Sequence, residues 1–254
     1  MRTHLLWKWF APAILFGHTA AKILQVNGGI VLDLFLFNLV IVAAIISLIG
    51  APLHSDPFAI SFTALAIASW GIGSLYSSLA QFLNFNANSL LFSNIAYALF
   101  YPFAFLAIPR ILGRRQRLRL LELLDAAIFG LGLSSIVTAL ILIQFISNIP
   151  GDSTSAFFAV LYPVCDIALV VIAIVSAVVS GFSTRSALLI TGVLVFAVTD
   201  FYFLWAQITN SYQFGQISDN GWLLGITIIT LSLWAAPNIL QPETKIHPAL
   251  IAVS

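Results

Sequence analysis

The chain has 254 residues, 61% of them hydrophobic and only 7% charged. A soluble domain carries roughly 25% charged residues, so a water-facing surface cannot be built from this composition and most of the exterior is expected to face lipid. Cys165 is the single cysteine, which excludes an intrachain disulfide and a cysteine zinc site.

Taken in chain order, the first apolar segment, 5–24, is interrupted by Lys8, Pro12, His18 and Lys22. Three readings of it stay open: a weak first span, an interfacial helix, or a signal peptide with a poor cleavage site at His18-Thr19-Ala20-Ala21. Seven clear runs follow, at 29–50, 58–81, 90–112, 121–146, 155–180, 185–207 and 221–240. Each is close to the roughly 20 residues that a spanning helix needs. Turn signals separate them, among them Pro52, Pro57, Pro150-Gly151, Gly181 and Asp219-Asn220-Gly221. The runs are too long for barrel strands and lack alternation, so they are expected to be helices. The predicted fold is an all-α polytopic transmembrane bundle of about eight helices. It forms one integral membrane domain over 1–254, with a short cytoplasmic tail at 241–254.

Orientation follows from lysines and arginines in short loops. Arg114, Arg115, Arg117 and Arg119 follow Arg110 in one loop, which is predicted to be cytoplasmic. The loops near 84–88, 149–154 and 210–220 contain no lysine or arginine and fall outside. With eight spans both termini are cytoplasmic.

The chain also repeats itself at about 126 residues. Ser74-Leu75-Tyr76 aligns with Asp200-Phe201-Tyr202. Ser93-Asn94 leads to Tyr97 as Ser218-Asp219 leads to Trp222, and each copy continues to a proline, Pro109 or Pro237. Two halves of four spans, 5–112 and 121–240, would form a parallel repeat. Chance similarity among apolar helices is the competing explanation.

Charged groups inside a membrane cost about 2.5–3.5 kcal/mol on insertion scales and face the protein interior or water. Asp125 sits near the arginine loop and is expected to pair with it. Asp166 and Asp200 fall on consecutive antiparallel helices, about 15 Å and 11 Å from their outer ends at 1.5 Å per residue, and Asp33 is shallower. Tyr162, one helical turn before Asp166, shares its face. Together with Tyr97, Tyr202 and Trp222 these residues suggest an outward-facing polar-aromatic cavity floored by Asp166 and Asp200. Protonated acids acting as interhelical glue, beneath an ordinary interfacial aromatic belt, would give the same pattern. Pro102 and Pro163 would kink their helices, and Gly221 and Gly225 form a GxxxG pair suited to close packing.

Chemistry-bearing motifs are missing. There is no P-loop, GxSxG or HExxH sequence. His4, His18, His54 and His247 show no ligand spacing, so neither metal nor other cofactor is expected. Lys8, Lys22 and Lys245 are the only lysines, which argues against a retinal Schiff base. Nucleic-acid binding is implausible, and an enzyme is not expected.

Five short motifs occur in a distinctive order. They are Leu124-Asp125-Ala126; Tyr162-Pro163-Val164-Cys165-Asp166; Thr199-Asp200-Phe201-Tyr202; Asp219-Asn220-Gly221-Trp222-Leu223-Leu224-Gly225; and Trp234-Ala235-Ala236-Pro237. In this order over roughly 30–240, the chain resembles the multi-helix membrane sensor region that precedes GGDEF and EAL domains in bacterial cyclic-di-GMP signalling proteins. Such regions often carry an acid at the position of Ser74 and a His-Pro pair directly after the last helix; here His247-Pro248 comes later. The resemblance implies a sensory or regulatory module of the bacterial inner membrane without cyclase or phosphodiesterase chemistry. It would signal to a cytoplasmic partner or through a homodimer. A small proton-coupled transporter is the alternative that the intramembrane acids suggest.

Overall fold

The computed structural model describes residues 3–26, 29–52, 56–83, 88–112 and 153–236, with isolated positions at 128, 132, 135, 136 and 139. The arginine loop beyond Leu112, Asp125, nearly all of the predicted run 121–146 and the tail at 241–254 lie outside the described residues.

Every regular element among the described residues is helical. In chain order these are α1 (Thr3–Lys8), α2 (Phe10–Ile23), α3 (Ile30–Ile49), α4 (Pro57–Leu83), α5 (Asn88–Ala98), α6 (Phe100–Leu112), α7 (Ser153–Ser180), α8 (Thr184–Ile208) and α9 (Asn220–Trp234), with a short 3-10 turn, Ile217–Asp219, leading into α9. Five helices are long and apolar enough to cross a membrane: Ile30–Ile49, Pro57–Leu83, Leu91–Leu112, Ala156–Val178 and Thr184–Ile208. The described part of α9 has 15 residues, short of a full span.

Two prolines explain two interruptions. Pro12 has no N–H for the carbonyl of Lys8, and the helix breaks at Trp9; Pro102 has none for Ala98, and the helix breaks at Leu99. Pro109 and Pro163 sit in helices that continue through them. The first seven residues of α3, Ile30–Leu36, form a π-helix, a rare local widening that recurs at functional sites. Asp33 is on it.

The helices pack as a closed ring. α3 lies against α4, α4 against α5 and α6, α6 against α7, α7 against α8, α8 against α9, and α9 back against α3; α2 leans on α3 and α9. The contact faces are built from small residues. Ala43, Ala44, Ala59, Ala66, Ala104 and Ala173 are buried, while Phe35, Ile49, Phe58, Ile72 and Val198 point outward. At Gly192 and Gly225 the backbones of α8 and α9 nearly touch: a Cβ on either glycine would come within 2.9 Å of the other's carbonyl oxygen. A Cβ on Gly221 would meet the Thr199 side chain. The GxxxG pair does place α9 tightly against α8.

One end of the ring is filled with apolar side chains, including Ile67, Ile108, Leu189, Val193 and Ile226. Arg185 is buried at this end and donates to the Ala235 carbonyl through Nε at 3.0 Å and Nη2 at 2.6 Å. It thereby satisfies a carbonyl at the C-terminus of α9, where the helix dipole favours a cation. Near the same end Arg110 pairs with Asp56 and lies over the rings of Phe58 and Phe62.

Candidate functional site

At the other end the ring is not filled. A cavity of about 350 Å³ lies there, within the usual range for small-molecule sites. Trp70 separates it from the apolar core. This buried ring meets Tyr97 at 5.6 Å, Phe196 at 5.9 Å and Trp222 at 6.1 Å, centroid to centroid.

Each helix contributes by its periodicity. On α4, Trp70, Ser74, Ser77, Ser78 and Gln81 line the cavity, a stripe of one helical face. Ser93, Asn94 and Tyr97 of α5 face them. On α8 the lining residues are Asp200, Phe203 and Gln207, again three and four apart.

Asp200 is the polar centre. Its Oδ1 accepts from Trp222 Nε1 at 2.6 Å and its Oδ2 from the Tyr101 hydroxyl at 3.1 Å. The same hydroxyl lies 3.1 Å from Asp166 Oδ1. Asp166 is buried directly behind the cavity wall and is not part of the lining. The two acids predicted to share a depth are therefore joined through one phenol. Tyr101 has a single proton to give, so it cannot donate fully to both acids. Tyr162 lines the cavity and donates to Asn94, 3.1 Å from its side-chain oxygen.

A loop closes over the cavity. Residues 209–219 connect α8 to α9, and Tyr212, Phe214, Gly215, Gln216 and Asp219 face inward. Lys22 of α2 pairs with Asp33 of α3 and donates to the Gly215 carbonyl at 2.5 Å. Gly215 has φ +77°, and a Cβ there would stand 2.9 Å from the Asp33 carboxyl carbon. Only glycine fits both the backbone and the space. Asp219 accepts from the Gly215 N–H at 3.0 Å and from the Tyr212 hydroxyl at 3.4 Å. Burial pushes its carboxyl up to about 7, against the opposing pull of these donors and of Lys22.

Several lining residues keep buried polar atoms without a well-formed hydrogen bond. They include Ser93 Oγ, Gln216 Nε2, Asp219 Oδ1 and Asn220 Oδ1. His18, 1% exposed, brings its ring nitrogens near the Leu32 backbone and Asn220 without completing a bond to either. Each such group costs about 1–3 kcal/mol, and native proteins tolerate them where function needs them.

Of the residues singled out by sequence, Asp33, Asp200, Tyr97, Tyr162 and Trp222 line the cavity and Asp166 stands behind it. Tyr202 does not join them. It is 42% exposed on the outer surface of α8, against Trp205 at 5.7 Å. Two residues beyond Asp200 it points to nearly the opposite face, since each helical residue turns 100°. The serine stripe of α4, Tyr101, His18 and Lys22 are lining residues absent from the predicted set. Spacing from Trp70 would have found the serines; Lys22 was legible only as an obstacle to a first span. Among the described residues no group of three or more histidine, cysteine or acidic side chains is placed to hold a metal.

No protein-family model matches the chain, and no similarity to a curated protein or to a solved structure was found.

Proposed function

We propose that the chain is a multi-pass protein of the bacterial inner membrane that binds a small ligand in this cavity and acts as a sensory or regulatory module. The observation that carries the reading is the cavity itself. It is polar and aromatic, centred on Asp200, and set at the end of the ring whose loops lack lysine and arginine. Small residues between helices and large apolar residues outside are the packing expected in lipid, where close backbone approach replaces the hydrophobic effect.

Two further features support a sensory duplication. Positions aligned by the internal repeat converge on the cavity: Ser74 with Asp200, Asn94 with Asp219, and Tyr97 with Trp222. The motif order that resembles the sensor region of cyclic-di-GMP proteins includes Tyr162, Asp166, Asp200 and Trp222. Ligand binding would bias two arrangements of the ring if it favours one of them, and a cytoplasmic partner or a second copy would read the change.

The carboxyl pair bridged by Tyr101 favours a second reading, a small proton-coupled transporter. Ser77→Cys in a Cys165→Ser background separates the two. Reaction with an impermeant maleimide from the outer face alone is expected for a sensor. Reaction from both faces of sealed vesicles would overturn sensing in favour of transport, and no reaction from either face would remove the accessible cavity.

A further inference from the structure

We infer that the cavity takes a small organic monocation, whose ammonium sits against Asp200 between aromatic side chains. This inference rests on the ligand-binding reading and specifies its chemistry.

The charges lining the cavity are unequal. Among the described lining residues Asp33, Asp200 and Asp219 are acidic, and Lys22 is the only lysine or arginine. Lys22 is already engaged, by the Asp33 carboxylate and the Gly215 carbonyl. An anionic ligand would thus meet acids and no uncommitted cation. Asp33 is neutralised by the same pair.

Asp200 differs. Its partners are the Trp222 N–H, the Tyr101 hydroxyl and the neighbouring Asp166 carboxyl, and it has no cationic partner among the described residues. A carboxylate offers about four lone-pair sites, so even with these three partners it is able to accept from a ligand. Asp166, joined through Tyr101, adds a second acid at the same depth. Ionising a buried carboxyl pair without a counter-charge is costly; a proton shared between the two acids relieves that cost in the empty cavity, and a bound cation would take its place.

The walls suit the same ligand. Trp70, Tyr97, Tyr101, Phe203 and Trp222 all line the cavity. Phe203 meets Trp222 at 5.4 Å and Trp70 meets Tyr97 at 5.6 Å between centroids. A cation within about 6 Å of such rings gains roughly 0.5–2 kcal/mol. The π faces of these rings attract a cation and not a carboxylate, and the Trp222 N–H and Tyr101 hydroxyl that could serve a carboxylate are already given to Asp200.

The test is binding to the purified full chain in nanodiscs, read by tryptophan fluorescence, because Trp70 and Trp222 line the site. The probes are choline, phenethylammonium, the neutral carbon isostere of choline (dimethylbutanol) and the matching carboxylate (dimethylbutanoate). At least one cation should bind saturably, about tenfold or more tighter than the neutral isostere. Asp200→Asn should erase that preference while leaving the unfolding midpoint measurable. If that variant does not fold, competition between choline and its isostere on the unaltered chain still decides. Tighter binding of the isostere or the carboxylate would overturn the cation and leave the ligand cavity standing. Saturable binding by none of the four would overturn the cation inference; the ligand-binding reading is then judged separately by maleimide access at Ser77→Cys.

Discussion

Asp200 organises the cavity because three elements meet on its side chain: its own helix α8, Trp222 of α9 and Tyr101 of α6. An acid in an apolar run is a strong signal in sequence, and Asp166 and Asp200 stood out for that reason. Tyr101 did not, since nothing in a single chain says which tyrosine lies between two acids on other helices. Asp219 makes the clearest prediction at this scale. Its carboxyl titrates near 3.9 in an unfolded chain, and burial raises it to about 7 in the loop. Between those values the folded state binds the proton more tightly. This contribution to stability is therefore fully present at acid pH and is lost as pH rises through about 7. Asp219→Asn keeps an oxygen for Gly215 and Tyr212 but cannot ionise. Thermal unfolding of the wild type should weaken from about pH 5 to pH 8 relative to the variant, which should be the more stable at pH 8 by about 1–3 kcal/mol. Parallel pH profiles for the two proteins would contradict this.

The helices were legible where length and hydropathy decide. Predicted runs 29–50, 58–81, 90–112 and 185–207 recur within about two residues as Ile30–Ile49, Pro57–Leu83, Leu91–Leu112 and Thr184–Ile208. The breaks inside them were less so, because Pro12 and Pro102 interrupt a helix whereas Pro109 and Pro163 do not. Helix pairing depends on glycine positions in the same way. A Cβ at Gly225 would meet the Gly192 carbonyl at 2.9 Å and the Phe196 backbone nitrogen at 3.0 Å, and backbone cannot move aside as a side chain can. Gly225→Ala should cost about 2 kcal/mol. Gly17, in the middle of α2, meets nothing within 4 Å, so Gly17→Ala should be neutral or stabilising by up to about 1 kcal/mol. Chemical unfolding in a fixed detergent would compare them; equal effects of the same sign would argue against close packing as the reason for Gly225.

At the scale of the whole molecule the ring has two unlike ends. Arg185, and near it Arg110, mark one, and the cavity with its closing loop marks the other. On the reading proposed above, the positive-inside rule would orient the protein with the cavity outside. In intact cells, and again in a Cys165→Ser background, Gln213→Cys should react with an impermeant maleimide, and Phe182→Cys should react only after permeabilisation. The reverse pattern would invert the topology. Composition and run length alone determined that the chain is helical with segments apt to cross a membrane, because so few charges leave no other surface. They also picked out the intramembrane acids, because an ionised group in an apolar run has no cheap solvent. What only the tertiary structure decided is which side chains share a space. Tyr202 is adjacent to Asp200 in sequence yet turned away by helical rotation, whereas Lys22 and Gly215, remote in sequence, meet at the cavity because the ring closes and the loop folds across it.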